Sequence, residues 1–336
     1  AVALATCLER NTAVQFIDLS DTSLGLQGGT AILRSMVKNL SLLSLDLSDN
    51  SIFEQPVKMR SEHADLLRER ARVSFKKFSD EHSPAWRRKH PDSLPQDEPR
   101  AMLRKWFDWP SNPLMRRAEE LEVDSEARDI VIWSFITPVE DATGGDIIER
   151  NYERNVDTAK SEACEVQDKV VQLIMEREDR ERIEDVLGPL MVNRTLISLS
   201  LKGNHLTDSA VQVLVETIMG NDCIARLDLS NNRLTAHSCG PLAELPAACA
   251  HLRELELQNN RLGRRACYRP KCTCGLGGPQ TACKCGTKPG SNYRGFTCEL
   301  CGSPMKALTG LLADPNAQLR QLGLAGNGLG DAGAIA

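Results

Sequence analysis

The chain has 336 residues and a formal net charge of −5 from 41 basic and 46 acidic side chains, with 41% hydrophobic and 26% charged residues. That is ordinary globular usage, with ample apolar material for a core, so global disorder is excluded. No run of about 18 apolar residues is present, which excludes a membrane-spanning segment. The acidic balance also disfavours a general binder of nucleic acid or anionic lipid. Ala1 to Arg10 has no basic start and meets charge early, so it does not read as a signal peptide.

Residues 1–11 have the pattern of a helix that belongs to a preceding repeat. Two segments then share Leu-x-x-Leu-x-Leu-x-x-Asn-x-Leu with apolar substitutions: Val14-Ile17-Leu19-Thr22-Leu24, which has Thr in the Asn column, and Leu42-Leu45-Leu47-Asn50-Ile52. Leu19 and Leu47 are 28 residues apart. Between them Ile32, Leu33, Met36 and Val37 fall at helical spacing and predict one buried helix face. Asn11 and Asn39 each stand eight residues before the last strand leucine. Asparagine tolerates the left-handed conformation, so these residues are predicted to end helices in that conformation.

Residues 53–178 interrupt the pattern. Val57–Phe78 is a candidate helix, and Pro84, Pro91, Pro95, Pro99, Pro110 and Pro113 are predicted to forbid a continuous helix beyond it. Met115–Arg128 reads as a short helix, and Ile130–Ile136 as a strand or a buried apolar plug. No Pro or Gly lies between Asp146 and Leu187, so a long helix of ~60 Å is predicted there. Val156, Ala159, Ala163, Val166, Val170 and Leu173 form its apolar stripe. Residues 58–117 carry 15 basic and 9 acidic side chains, and residues 118–178 carry 6 and 17. Either the two halves fold onto each other, or a basic surface including Arg87, Arg88, Lys89, Arg104 and Lys105 faces an acidic partner. All four tryptophans (Trp86, Trp106, Trp109, Trp133) lie in this segment, as a local core or as interface anchors.

The repeat resumes over 179–263, with Leu196-Leu199-Leu201-Asn204-Leu206, Ile224-Leu227-Leu229-Asn232-Leu234 and Leu252-Leu255-Leu257-Asn260-Leu262. Leu201, Leu229 and Leu257 are again 28 residues apart. Ala210, Leu214 and Ile218 mark the helix between strands. Asn193 and Asn221 continue the second ladder, which Cys249 breaks.

Residues 264–302 contain seven of the twelve cysteines. Cys283-Lys-Cys285-Gly followed by Cys298-Glu-Leu-Cys301-Gly has the spacing of a Cys₄ structural zinc site, with Cys-x-Cys a tighter chelate than usual. Cys267, Cys272 and Cys274 are candidates for a second ion with a shared or outside ligand, giving one or two zinc ions in all. A disulfide framework would need an oxidising compartment, and no histidine stands nearby for a catalytic cysteine. Cys7, Cys164, Cys223, Cys239 and Cys249 are expected to be buried thiols. The last repeat, over 303–336, is Leu319-Leu322-Leu324-Asn327-Leu329, preceded by Asn316. Its Gly328-Leu-Gly330-Asp-Ala-Gly333 string matches a dinucleotide fingerprint, but repeat register accounts for it. Neither end shows a polar cap, so a fragment of a longer chain, or capping by neighbours, is expected.

The segments LISLSLKGNHLTDSAVQVLVETIMGND and IARLDLSNNRL resemble leucine-rich repeats of the ribonuclease-inhibitor type. The resemblance covers 1–52, 179–263 and 303–336. It implies an α/β leucine-rich-repeat solenoid, a horseshoe, with a large mostly helical insertion at 53–178 and a small Cys-rich zinc-binding insertion at 264–302. The columns between strand leucines then place Asp18, Asp46, Asp228 and Glu256, with Arg226 and Glu254 one column over, on the concave face as a partner-binding ridge. The leading expectation is a non-enzymatic scaffold for protein–protein interaction in a multi-subunit, cytoplasmic assembly. Tubulin or axonemal proteins are the expected kind of partner, and neither membrane nor nucleic acid is. The alternative, by resemblance to Ran GTPase-activating members, is regulation of a small GTPase. An inhibitor or immune-sensor module is a third expectation.

Overall fold

A computed structural model of the chain describes residues 1–54, 57–92, 97–136, 155–219, 221–249, 251–263, 312 and 318–329; for 57–58, 97–100, 132–136, 155–163 and 246–248 it describes the backbone alone. The chain divides into two compact units, Ala1–Glu54 with Arg182–Ala336, and Gln55–Glu181.

In the first unit six three-residue strands form one parallel sheet in sequential order. They are β1 (Phe16–Asp18), β2 (Ser44–Asp46), β3 (Ser198–Ser200), β4 (Arg226–Asp228), β5 (Glu254–Glu256) and β6 (Gln321–Gly323). Their centres, Ile17, Leu45, Leu199, Leu227, Leu255 and Leu322, stand in one register across every pair. Strand residues alternate between faces, so these centres point to the core and their neighbours point away. Although more than 150 residues separate them in sequence, β2 and β3 pair directly, Leu45 opposite Leu199. Helices return the chain between strands: α1 (Val2–Leu8) before β1, α2 (Gly25–Ser35), α8 (Pro189–Val192), α9 (Asp208–Ile218), and a 3₁₀ turn (Ala236–Ser238) leading into α10 (Cys239–Ala248). Ile32, Leu33, Met36, Leu190, Ala210, Val211, Leu214, Ile218, Leu242 and Leu245 are buried against the strand leucines. Val37, grouped by its spacing with this buried face, is instead 49% exposed, because α2 ends at Ser35 and the backbone leaves the helical phase.

Buried asparagines tie successive strands and turns together. Asn232 accepts the backbone N–H of Asn204 and Leu206 at 3.1 and 2.9 Å, and its Nδ2 donates to the carbonyls of Leu201 and Leu229. Asn50, Asn204, Asn260 and Asn327 repeat the arrangement. The second ladder works through side chains as well. Asn39, Asn193 and Asn221 donate to carbonyls of the preceding repeat and accept the N–H groups two and three residues on. None of them is left-handed; Asn193 is extended, at φ −70°, ψ 134°. The predicted conformation is corrected: the helix-ending asparagine is used for its amide, which satisfies four backbone groups at once, and not for its backbone freedom. Left-handed residues stand instead two positions after each last strand leucine, at Asp21, Asp49, Gly203, Asn231, Asn259 and Gly326, and four positions after it at Ser23, Ser51, His205 and Gly328. At Gly203 (φ 67°) a Cβ would lie 1.8 Å from Asp49 Oδ1, so glycine answers both the backbone and the packing there. Asn316 lies outside the described residues.

The second unit is helical: α3 (Val57–Lys89), α4 (Asp97–Phe107), α5 (Pro113–Glu120), α6 (Asp124–Ile136) and α7 (Asn155–Leu187), whose last residues extend into the first unit. Three expectations are corrected. Helix α3 runs through Pro84, with Phe78 and Trp86 buried in one core on either side of it; burial of both flanking turns outweighs the lost N–H. At the other prolines the expectation holds: α3 ends at Lys89, before Pro91, and Pro99 stands in the first turn of α4, where a missing N–H costs no intrahelical bond. Residues 130–136 continue α6 and are not a strand, because the apolar run shares the helical phase of Ala127 and Val131, both buried. The segment read as one helix over Met115–Arg128 is two, divided at Glu122 (φ 57°). Asn112 caps α5 by accepting Leu114 N and Met115 N ahead of Pro113. Residues 146–154 lie outside the described residues, and the long helix ends at Leu187, before the separate α8.

The unit's core is aromatic. Trp106 is fully buried, donates from Nε1 to Ser74 Oγ at 3.1 Å, and meets Phe75 edge-on at 5.5 Å. Trp86 is also buried, and Trp109 packs against the same cluster, so these tryptophans serve a local core; the side chain of Trp133 is outside the described set. The basic and acidic halves pair across helices, Arg68 with Asp168 at 2.8 Å and Arg117 with Glu178 at 2.8 Å, and Arg60 pairs with Asp179, just beyond the acidic half, at 3.0 Å.

Candidate functional site

Each strand presents its first and third residues away from the core, which yields two columns across the sheet. The first is Phe16, Ser44, Ser198, Arg226, Glu254 and Gln321; the second is Asp18, Asp46, Ser200, Asp228, Glu256 and Gly323. All six residues expected on this ridge, Asp18, Asp46, Arg226, Asp228, Glu254 and Glu256, therefore share one face. The second column holds four carboxylates and no cation.

Hydrogen bonding divides the acidic groups into two kinds. Asp18, Asp46 and Asp228 each accept, through Oδ1, the backbone N–H two residues on, from Ser20, Ser48 and Ser230 at 2.8–2.9 Å. These bonds fix the turn that leaves the strand and leave Oδ2 of each without a hydrogen bond among the described residues. The contact from Ser20 holds the Asp18 carboxyl below its ordinary range. Glu254 is engaged by Arg226 in a two-pronged pair, which lowers the carboxyl and raises the guanidinium by their mutual hydrogen bond. Glu256 accepts from Gln258 Nε2 at 2.6 Å and from Gln321 Nε2. A Cβ at Gly323 would fall 1.7 Å from Glu256 Oε2, so the bare glycine is what lets this carboxylate lie over β6.

Sequence reading missed Phe16, which stands 70% exposed on the first column, and the serines beside the aspartates, which decide how much of each carboxylate is free. The i+2 spacing of Asp and Ser was the available signal. The face has the chemistry of a recognition surface: ordered acceptors, one exposed aromatic ring and one internally neutralised ion pair.

The cysteines named as metal ligands, Cys267, Cys272, Cys274, Cys283, Cys285, Cys298 and Cys301, lie outside the described residues. Among the described residues no group of three or more His, Cys, Asp or Glu is arranged to hold a metal. Of the five cysteines expected to be buried, Cys239 and Cys249 are, and burial pushes their thiols up to about 12 and about 11; they are neutral thiols, poor nucleophiles at neutral pH. Cys7 and Cys164 are exposed and Cys223 is half-buried, a correction that follows from their places on outward helix and loop positions. Cys249 takes over the ladder role of asparagine, its Sγ donating to Ile218 O at 3.2 Å. No described helix is long and apolar enough to cross a membrane.

A family model described as Leucine Rich repeat matches residues 192–215, 248–265 and 316–336. These segments contain β3 with most of α9, β5, and β6. No curated protein matches the chain. With six strands in one register and three segments that fit the repeat model, the chain contains leucine-rich repeats.

Proposed function

We propose that the chain is a non-enzymatic interaction scaffold of the ribonuclease-inhibitor-type repeat subclass, whose strand face docks a basic segment of a partner protein. One observation carries this reading: Asp18, Asp46, Asp228 and Glu256 stand in a single column of a parallel sheet, and the three aspartates each keep one carboxylate oxygen free. Leucine-rich repeats generally mediate contacts between proteins, which agrees with it. The finer reading is a subunit of a large cytoplasmic assembly, cytoskeletal or axonemal, with tubulin or axonemal proteins as partners. Its support is the charge of this face and the long, charged segment 53–178.

The test is affinity capture from native extract with the full chain and with a variant carrying Asp46→Lys, Asp228→Lys and Glu256→Lys. The expected result is a stable set of structural proteins held by the wild type and lost by the variant. A single small GTPase, bound only with a GTP analogue and indifferent to these charges, would replace the scaffold reading with the regulator reading. We also propose that Cys283, Cys285, Cys298 and Cys301 hold a structural zinc ion, with Cys267, Cys272 and Cys274 available to a second; the support is ligand spacing alone. Metal analysis of reduced protein should find at least one equivalent, and Cys298→Ser with Cys301→Ser should remove it. Metal-free wild type would refute the site.

A further inference from the structure

The positive charge of the helical unit is not used up by the ion pairs that join its two halves. Residues 58–117 carry 15 basic and 9 acidic side chains. On α3, Arg68 reaches Asp168 at 2.8 Å. Arg70 and Lys77 lie two and nine residues further on, which at about 3.6 residues per turn is the opposite side of the helix. Neither takes part in an ion pair among the described residues. Between them Val73 is 61% exposed. These three residues, with Glu69, line one side of a recess of about 460 Å³, and Trp109 and Pro113 line the other. The second side is firmly held: Trp109 packs on Phe78 at 5.3 Å, Asn112 N donates to Trp109 O at 2.9 Å, and Asn112 caps α5 next to Pro113.

The recess has an apolar floor and a basic rim. Val73, Trp109 and Pro113 give apolar surface of a size that takes one large side chain. Around them stand four cations with no carboxylate partner among the described residues, Arg70, Lys76, Lys77 and Arg116, the last donating from Nε to Pro110 O at 2.9 Å. Against them are two carboxylates without an ion pair among the described residues, Glu69 and Asp80, and a third, Asp108, which Arg128 engages at 3.7 Å. The balance favours an acidic occupant. A second copy docked here by a two-fold axis would set this rim against itself, with cations in excess on both sides. A nucleic-acid strand tracks a row of cations and stacking rings; Glu69 would face its phosphates, and the one ring in the recess is half-buried. Insertion into a membrane needs aromatic side chains that project, and Trp109 is set back. A peptide supplies both parts, carboxylates for Arg70 and Lys77 and an apolar side chain for the recess between them.

We propose that Arg70, Val73, Lys77, Trp109 and Pro113 form a docking groove for an acidic segment of a partner protein, in which one large apolar side chain is flanked by carboxylates. The groove lies wholly in the helical unit and does not depend on the basic segment proposed for the strand face. The probe is a short fluorescein-labelled peptide with a central phenylalanine between glutamates, measured by anisotropy on the full chain. Its two counterparts carry lysines in place of the glutamates or alanine in place of the phenylalanine. The first peptide is expected to bind about tenfold more tightly than either. Arg70→Glu should weaken it about fivefold and, combined with Lys77→Glu, should abolish the preference for glutamate. Glu69→Lys should tighten it about threefold, a gain that misfolding does not produce. Arg72→Glu makes the same charge change on the far side of α3 and should leave binding within about twofold, as should Asp228→Lys on the strand face. Circular dichroism confirms that each variant is folded. Absence of binding, no preference among the peptides, or a loss on Arg72→Glu as large as that on Arg70→Glu overturns the proposal. So does a dimer in sedimentation, or binding of a single-stranded oligonucleotide, that Arg70→Glu with Lys77→Glu removes.

Discussion

The two units solve the burial of polar groups in opposite ways. In the repeat unit the interior contains a line of asparagines, Asn39, Asn50, Asn193, Asn204, Asn221, Asn232, Asn260 and Asn327, each buried and each tied to backbone of a neighbouring repeat. In the helical unit only Asn112 and Gln167 are buried polar residues among those described; its helices are held by Trp106, Trp86, Phe78 and Phe107 within, and by exposed ion pairs at the edge. A short strand with a tight turn leaves many backbone groups without partners, so a side-chain amide must supply them. A helix satisfies its own backbone, so its core is free to be apolar. Position is specified by hydrogen bonds in the first unit and by shape in the second.

Three measurements would break or sharpen this contrast. Trp106→Ala should have the largest effect, a loss of about 3–5 kcal/mol, because it empties a large site and orphans the Ser74 hydroxyl. All four tryptophans lie in Gln55–Glu181, so their fluorescence in denaturant follows that unit, and its midpoint should fall while the circular dichroism of the repeats is largely retained. Asn204→Ala should cost about 1–3 kcal/mol by stranding Ile52 N, which is bonded to the amide, and by removing one of the two donors to Leu47 O, the other being Asn50 Nδ2. The loss should appear in the dichroism transition and leave the tryptophan transition in place. If both substitutions move both transitions equally, the division of labour is wrong.

The Arg226–Glu254 pair should contribute least. It is exposed, so its worth is under about 1 kcal/mol and falls with salt. Glu254 has its pKa lowered in the folded chain from the ordinary 4.5, first by the hydrogen bond from Arg226. Its contribution is therefore fully present above that ordinary value and is lost as pH falls through the lower folded one. Denaturation midpoints at pH 7 and pH 3, for wild type and Glu254→Gln, should converge at the acid end. A difference that persists there would show that the pair acts by packing and not by charge.

The strand face is largely legible in the residue pattern. Asp18, Asp46, Asp228 and Glu256 come to one column because apolar residues at fixed spacing force the strand register, and register decides which residues share a face. The state of each carboxylate is not legible there. It depends on whether a serine N–H or a glutamine amide comes within reach, as at Ser20 and Gln258, and such distances are set by turn geometry. The outward placement of Val37 is hidden for a related reason. Helical spacing assigns Val37 to the buried face, and only the early end of α2 turns it outward. The helical unit is the least legible, since Pro84 sits inside a helix that a local rule forbids.

Sequence alone determined the repeat, its strand leucines and its two asparagine ladders, because a periodic backbone demands the same side-chain chemistry at the same place in every turn. Tertiary structure decided how those asparagines act, which carboxylates keep an oxygen free, and how α3 to α7 pack, because these rest on contacts between residues far apart in the chain, such as Asn204 with Leu47 and Arg68 with Asp168. Local propensity does not contain those contacts; they exist only once the apolar faces have been buried together.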